Sequence, residues 1–237
     1  MTVTIAAFGA LNNESYDVFA ERLAHHAEAL EIPISLISGI PYPNARGVSE
    51  AGRPLRAEAL QDEAKKQQLF EAVAADAKLI GALRSDILVM PCMSMVGFHD
   101  GIEKALGKPI LRLADALVEK YKDADKVGVI HMRPAKKRIE EIFGDKAVTP
   151  NDRQAEMLLT AEEEVKKQKT PFPVYDAMKE ITEFWRNNGI KHVLFARADA
   201  PNAHLSSAGM VEGLTVSTHF DILAEAVVKK AKDVNQA

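Results

Sequence analysis

The sequence predicts an α/β protein of two similar lobes, each a mostly parallel sheet flanked by helices, with the active site in a cleft between them. Three observations carry this. Short apolar, β-branched runs alternate with longer helical stretches along the whole chain. The two halves share a β-α-β-α-β rhythm. Polar residues follow directly on apolar runs at Cys92, His131 and Arg197, the strand ends at which open α/β sheets bind ligands.

The elements follow in order. Thr2–Phe8 is apolar and β-branched and reads as a first strand, ended by Gly9. Asn12 or Asn13 can cap the next helix, which runs to about Leu30 with Val18, Leu23 and Leu30 on its inner face. Ile32–Ile37 is a second strand. Gly39–Leu55 then carries three Pro and three Gly, and a loop of that length inside a compact domain is a candidate lid. A helix over about Gln61–Leu83 leads to the stretch DILVMPCMSM, Asp86–Met95. Its continuous apolar run bounded by a breaker reads as a buried parallel strand, with Cys92 just past the end. Val96–Leu106 is helical and stops at Gly107. Lys108–Leu113 is a short strand and Ala114–Tyr121 a helix. Lys126–Ile130 is a buried strand with His131 at its carboxyl end, and Pro134 suits the first turn of a helix over Ala135–Phe143. Ala147–Val148 is a short strand. Two helices, about Asp152–Lys167 and Val174–Asn188, are split by Pro171–Pro173, and Asn188-Gly189 is a C-cap signal. His192–Phe195 and Leu214–Ser217 are the last strands, and Phe220–Lys232 closes the chain as an amphipathic helix.

Composition bounds the function. The 237 residues are 47% hydrophobic and 27% charged, ordinary for a globular protein, and the net charge of −4 gives no reason to expect a nucleic-acid partner. One Cys cannot form an internal disulfide, so a reducing compartment is the simplest setting. The N-terminus lacks a charged n-region and a long apolar core, and no apolar run approaches the roughly 20 residues needed to cross a bilayer. The expectation is a cytoplasmic protein with no membrane partner. No His/Cys/Asp/Glu set has metal-ligand spacing, Gly9–Asn13 lacks the glycine pattern of a dinucleotide site, and no phosphate loop is present. No metal and no cofactor are therefore expected.

Each candidate residue has two readings. Cys92 is either a buried core thiol or, at a strand end before a helix whose N-terminal dipole favours thiolate, a functional one. His131 is either a satisfied core histidine or an acid/base group. Arg197 either pairs with Asp199 at the surface or binds a carboxylate or phosphate bidentately. His204 and His219 fall in loops near the expected cleft.

With these elements placed, the chain resembles the aspartate/glutamate racemase family over nearly its whole length. The resemblance rests on GALNNESY (Gly9–Tyr16) after the first strand, PCMS (Pro91–Ser94) where the family has Pro-Cys-Asn-Thr, ARADAP (Ala196–Pro201) where it has Gly-Cys-Thr-Glu-x-Pro, and STHFDILAEAVVKKA (Ser217–Ala231) as the closing turn and Ala-rich helix. It implies two α/β lobes related by a pseudo-twofold, with the last helix returning to the first lobe. The boundaries it implies are 1–97 with 209–237 for lobe 1 and 98–208 for lobe 2. It also implies a homodimer, a small carboxylate substrate and cofactor-independent racemisation, in which one thiol removes the α-proton and a second returns one on the opposite face.

The departures are specific. The first family Cys is Cys92, but the second maps to Arg197, a poor proton donor or acceptor at neutral pH. The neighbouring Asn is Met93 and the Thr is Ser94. A Thr-x-x-Thr that would grip a carboxylate maps to Met132 and Ala135. The resemblance thus implies Cys92 as acid/base; the second face falls to His131, which ends a buried strand, or to a water. It implies Asn12, Asn13, Arg46, Ser94, Arg133, Arg197 and Asp199 as substrate-binding residues. Three functions stay open: a racemase-like isomerase at the α-carbon of an acidic amino acid or related acid; a single-thiol decarboxylase or cis-trans isomerase of a small diacid; and an inactive anion-binding relative.

Overall fold

The computed structural model describes residues 1–9, 13–38, 63–82, 84–131, 135–168, 172–196 and 212–236. The candidate lid falls outside them. The chain divides into two compact units, Met1–Lys120 with Phe220–Ala237, and Tyr121–His219.

Unit 1 holds β1 (Val3–Ala7), α1 (Asn13–Ala29), β2 (Ile34–Ser38), α2 (Glu63–Ala82), β3 (Ile87–Val89), a 3-10 turn (Met93–Phe98), α3 (His99–Leu106), β4 (Ile110–Leu111) and α4 (Leu113–Lys120). Unit 2 holds β5 (Val127–His131), α5 (Lys136–Phe143), β6 (Ala147–Val148), α6 (Asp152–Gln168), α7 (Phe172–Asn187), β7 (His192–Ala196) and β8 (Thr215–Thr218). The chain ends in α8 (His219–Gln236).

Among the described residues, each unit contains one four-stranded sheet, ordered β2-β1-β3-β4 and β6-β5-β7-β8, and every pairing is parallel. Both sheets have the same internal order, second-first-third-fourth. The strand order therefore reverses direction between β1 and β3 in one sheet and between β5 and β7 in the other. Those carboxyl ends are the switch points where a crevice opens in a fold of this class.

The divide differs from the sequence expectation of 97/98 and 208/209. It lies at Lys120/Tyr121 and His219/Phe220. The reason is pairing: β4 joins the first sheet through Leu88↔Ile110 and Val89↔Leu111, and β8 joins the second through Phe195↔Thr218 and its neighbours.

Helix α1 shows why one face is buried. Tyr16, Phe19, Leu23 and Ala27 recur at three- and four-residue spacing and are all buried, and each large apolar side chain contributes roughly 1.5–3 kcal/mol by leaving water. Leu23 lies inside as expected, Val18 is only half-buried, and Leu30 is 52% exposed. The helix stops at Ala29, and Glu31 turns the chain with φ 54°, so Leu30 never reaches the inner face. Helix α8 packs in unit 1 from Phe220 onward. Phe220 meets Phe19 with ring centroids 6.3 Å apart, and Asp221 lies 3.5 Å from the Arg22 guanidinium. Among the described residues, no helix is long and apolar enough to cross a membrane.

The start of α3 carries a buried titratable group. His99 is 3% exposed, and its Nε2 has no hydrogen-bond partner among the described residues. Burial, reinforced by the Arg112 guanidinium, pushes its imidazole down to about 4 against weaker pulls from Glu103, Asp115 and Asp100. The unfolded chain therefore binds the proton more tightly than the native one. Stability from neutral His99 is complete above about pH 6.5 and is lost as pH falls toward 4. His99→Leu is expected to cut the stability lost between pH 7 and pH 4.5 by roughly 2–3 kcal/mol, read from urea unfolding at both pH values.

Candidate active site

Cys92 is placed by the end of β3. The apolar run continues through Met90, but Pro91 has no N–H for the ladder, and β3 ends at Val89. Cys92 has extended backbone (φ −121°, ψ 111°) and stands at the cap position of the 3-10 turn, which its side chain does not cap. Its carbonyl accepts from Met95 N–H at 3.1 Å. The residue is 4% exposed, with Met93 and Met95 buried beside it in sequence.

Gly9, just after β1, lies against this segment. Gly9 has φ 132°, a conformation that side chains strongly disfavour. A Cβ on Gly9 would lie 3.0 Å from Met90 Cγ and 3.6 Å from Cys92 Cβ. Glycine is favoured by its dihedral, and the thiol-bearing segment lies close to it, at ordinary contact distance from Cys92 and nearer to the flexible Met90 side chain. Tyr16, from the first turns of α1, donates its hydroxyl to the Gly9 carbonyl at 3.3 Å. Phe8 N–H continues the β1–β3 ladder to Val89 O at 3.1 Å. The switch point of unit 1 is therefore made from Gly9 and Cys92, tied to α1 through Tyr16.

The corresponding point of unit 2 is made from histidine. His131 is the last residue of β5, half-buried, and pairs in register with Ala196 at the end of β7. His219, expected in a loop, is instead the first residue of α8 and is 0% exposed. Its Nδ1 lies 3.2 Å from Phe195 O. The reason for the correction is that β8 runs one residue further than expected, to Thr218, and passes directly into the helix.

The structure thus brings Cys92 together with Gly9 and places His131 on the matching edge of the other unit. Asn13 opens α1 and Ser94 lies in the 3-10 turn, but their side chains fall outside what is described. Asn12, Arg46, Arg133, Arg197, Asp199 and His204 lie outside the described residues altogether. Two features escaped the sequence reading. The Gly9–Cys92 approach had a signal in the Gly after a strand, and the His219–Phe195 bond had none. Among the described residues, no group of three or more His, Cys, Asp or Glu is placed to hold a metal ion.

No family model matches this sequence, and no curated protein matches it. Solved structures do match. A candidate Asp/Glu racemase from Yersinia pestis superposes with a TM-score of 0.73 at 20% identity, over 97% of this chain and 99% of the other. The aspartate racemase of Picrophilus torridus follows at 0.64 and 16%, over 98% and 94% of the two chains. The allantoin racemase of Klebsiella pneumoniae matches at 0.56 and 10%, over 99% and 89%. At these identities the likeness is one of fold, and this chain is built on the two-lobed α/β fold that those racemases share.

Proposed function

We propose that this protein is a cofactor-independent, racemase-like isomerase acting at the α-carbon of an acidic amino acid or related small carboxylate, with Cys92 as its acid/base thiol. The observation that carries the reading is the placement of the chain's one cysteine at the β1/β3 switch point, under the Gly9 turn. The α-proton of an amino acid is weakly acidic. Its removal needs a base shielded from bulk water and fixed donors for the carbanion that forms. A nearly buried thiolate suits the first requirement. Cys92 sulfur takes the α-proton, the electron pair passes to the α-carbon and is delocalised onto the carboxylate, and a proton returns to the opposite face. His131 supplies that second proton, since arginine stands where the resemblance calls for a second thiol. Arg197 grips a substrate carboxylate, with Asn12, Asn13, Arg46, Ser94, Arg133 and Asp199 as further substrate contacts. The fold is used for acidic amino acids and for allantoin, so the substrate is set by these side chains and not by the architecture. The reading includes a cytoplasmic homodimer.

The test is exchange. Incubation with L- and D-aspartate and L- and D-glutamate in deuterated water is expected to wash the α-proton signal out of the NMR spectrum while the opposite enantiomer accumulates. Absence of deuterium uptake with all four would remove this reading for those substrates.

A second reading is favoured by the cysteine count of one. A single thiol serves one face, which suffices for decarboxylation: the bond to carbon dioxide breaks, and Cys92 S–H protonates the carbanion left behind. In a cis-trans isomerisation the same sulfur adds to the double bond of a small diacid and leaves after rotation. Carbon dioxide released from substituted malonates, or a thioether mass adduct on Cys92, separates these from racemisation.

A further inference from the structure

Among the described residues, the most heavily buried histidine stands apart from the proposed acid/base pair. His219 is wholly enclosed, and burying a polar ring is costly unless it is hydrogen-bonded. Its Nδ1 faces Phe195 O at 3.2 Å. A carbonyl oxygen only accepts, so Nδ1 must carry the proton and donate. In the neutral ring this fixes one tautomer and leaves Nε2 as an acceptor.

The place of this bond gives it a consequence. Phe195↔Thr218 is the last pair in the β7–β8 register. Helix α8 begins at the next residue, so the backbone of β8 cannot extend the ladder. The His219 ring continues it by side chain, holding the carbonyl of Phe195 where backbone pairing ends. One residue on, Ala196 pairs with His131, and the sequence passes into Arg197. His219 is also where the chain leaves unit 2. The next side chains, Phe220 and Asp221, are held in unit 1 by Phe19 and Arg22.

We infer that His219 is a positioning residue for the carboxyl end of the unit 2 sheet: in its Nδ1–H form it fixes the end of β7, and with it the setting of His131. This rests on the function proposed above only for its catalytic consequence. The anchoring of β7 stands independently of it.

The experiment therefore has two arms on the full chain. The first needs no activity. Long-range nitrogen–proton NMR at neutral pH is expected to show His219 protonated at Nδ1. Hydrogen–deuterium exchange is expected to show the amides of 194–196 exchanging at least 10-fold faster in His219→Leu than in the parent. His219→Asn, whose side-chain amide can donate from near the Nδ1 position, is expected to restore most of that protection, and His219→Gln, with its donor displaced, is not. The second arm measures α-proton exchange of L- and D-aspartate: KM is expected to rise about 10-fold in His219→Leu, to stay within about 3-fold of the parent in His219→Asn, and kcat to change less than KM. A ring protonated at Nε2 alone, or unchanged protection at 194–196 in His219→Leu, overturns the anchoring. Should His219→Leu fail to fold, the comparison of Asn with Gln decides by the same measure. Anchoring intact with no exchange of either aspartate overturns the proposed activity on aspartate and leaves the positioning role in place.

Discussion

Cys92→Ala is expected to lower α-proton exchange on the substrate by about 10²–10⁴-fold, the usual contribution of a positioned acid/base group. Cys92→Ser should fall nearly as far, because a hydroxyl keeps the shape of the thiol but is far harder to deprotonate. The fold should survive both changes. Alanine removes one buried sulfur, a small loss of volume in a core that also holds the adaptable methionines Met90, Met93 and Met95. Serine leaves a buried hydroxyl in place of the thiol, a cost of about 1–3 kcal/mol if it finds no partner. Circular dichroism and thermal melting of the variants check that activity and not folding is lost. Exchange within 10-fold of the parent in Cys92→Ala would exclude the thiol as the proton carrier. Retained ligand binding in that variant, with no acid turned over by the parent, would make the protein an anion binder on a racemase fold.

Gly128→Ala should be the most damaging single methyl group in unit 2. Gly128 sits inside β5, and a Cβ there would lie 2.3 Å from Trp185 Cε3 and 2.7 Å from Cζ3. The indole cannot swing away easily, since Trp185 is 2% exposed and belongs to the core cluster with Ile181, Met178, Val193 and Phe195. Overpacking of this kind typically costs about 1–3 kcal/mol, and the rigid ring against a strand backbone points to the upper end. The urea midpoint is expected to drop by roughly 1 M or more. Trp185 is the only tryptophan in the chain, so its emission reports this lobe directly, with circular dichroism as the second probe. Combining Gly128→Ala with Trp185→Leu should cost less than the two single changes added together, because the second makes room for the first. Strict additivity would show that the indole is not what excludes the methyl group.

Cys92 was legible because its cause is local: an apolar run, then a proline, then the thiol. Gly107 and Gly189 were legible for the same reason, and both take positive φ at helix ends, 63° and 83°. The inner face of α1 was only partly legible. Its period was clear, but where the helix stopped decided whether Leu30 faced inward. The fit of Gly128 to Trp185 spans 57 positions and leaves no trace in either neighbourhood.

The sequence by itself determined which segments are strands and helices, that they alternate, and that the one thiol follows a buried strand, because hydrophobic period and chain breakers act over a few residues. Tertiary structure alone decided that β1 lies between β2 and β3, which sets Gly9 against Cys92. It also decided that β4 and β8 complete their sheets, which moved the lobe boundaries, and that His219 closes on Phe195. Strand order is chosen by which arrangement buries the most apolar surface and satisfies every backbone group at once, and that is a property of the whole chain that no local stretch can carry.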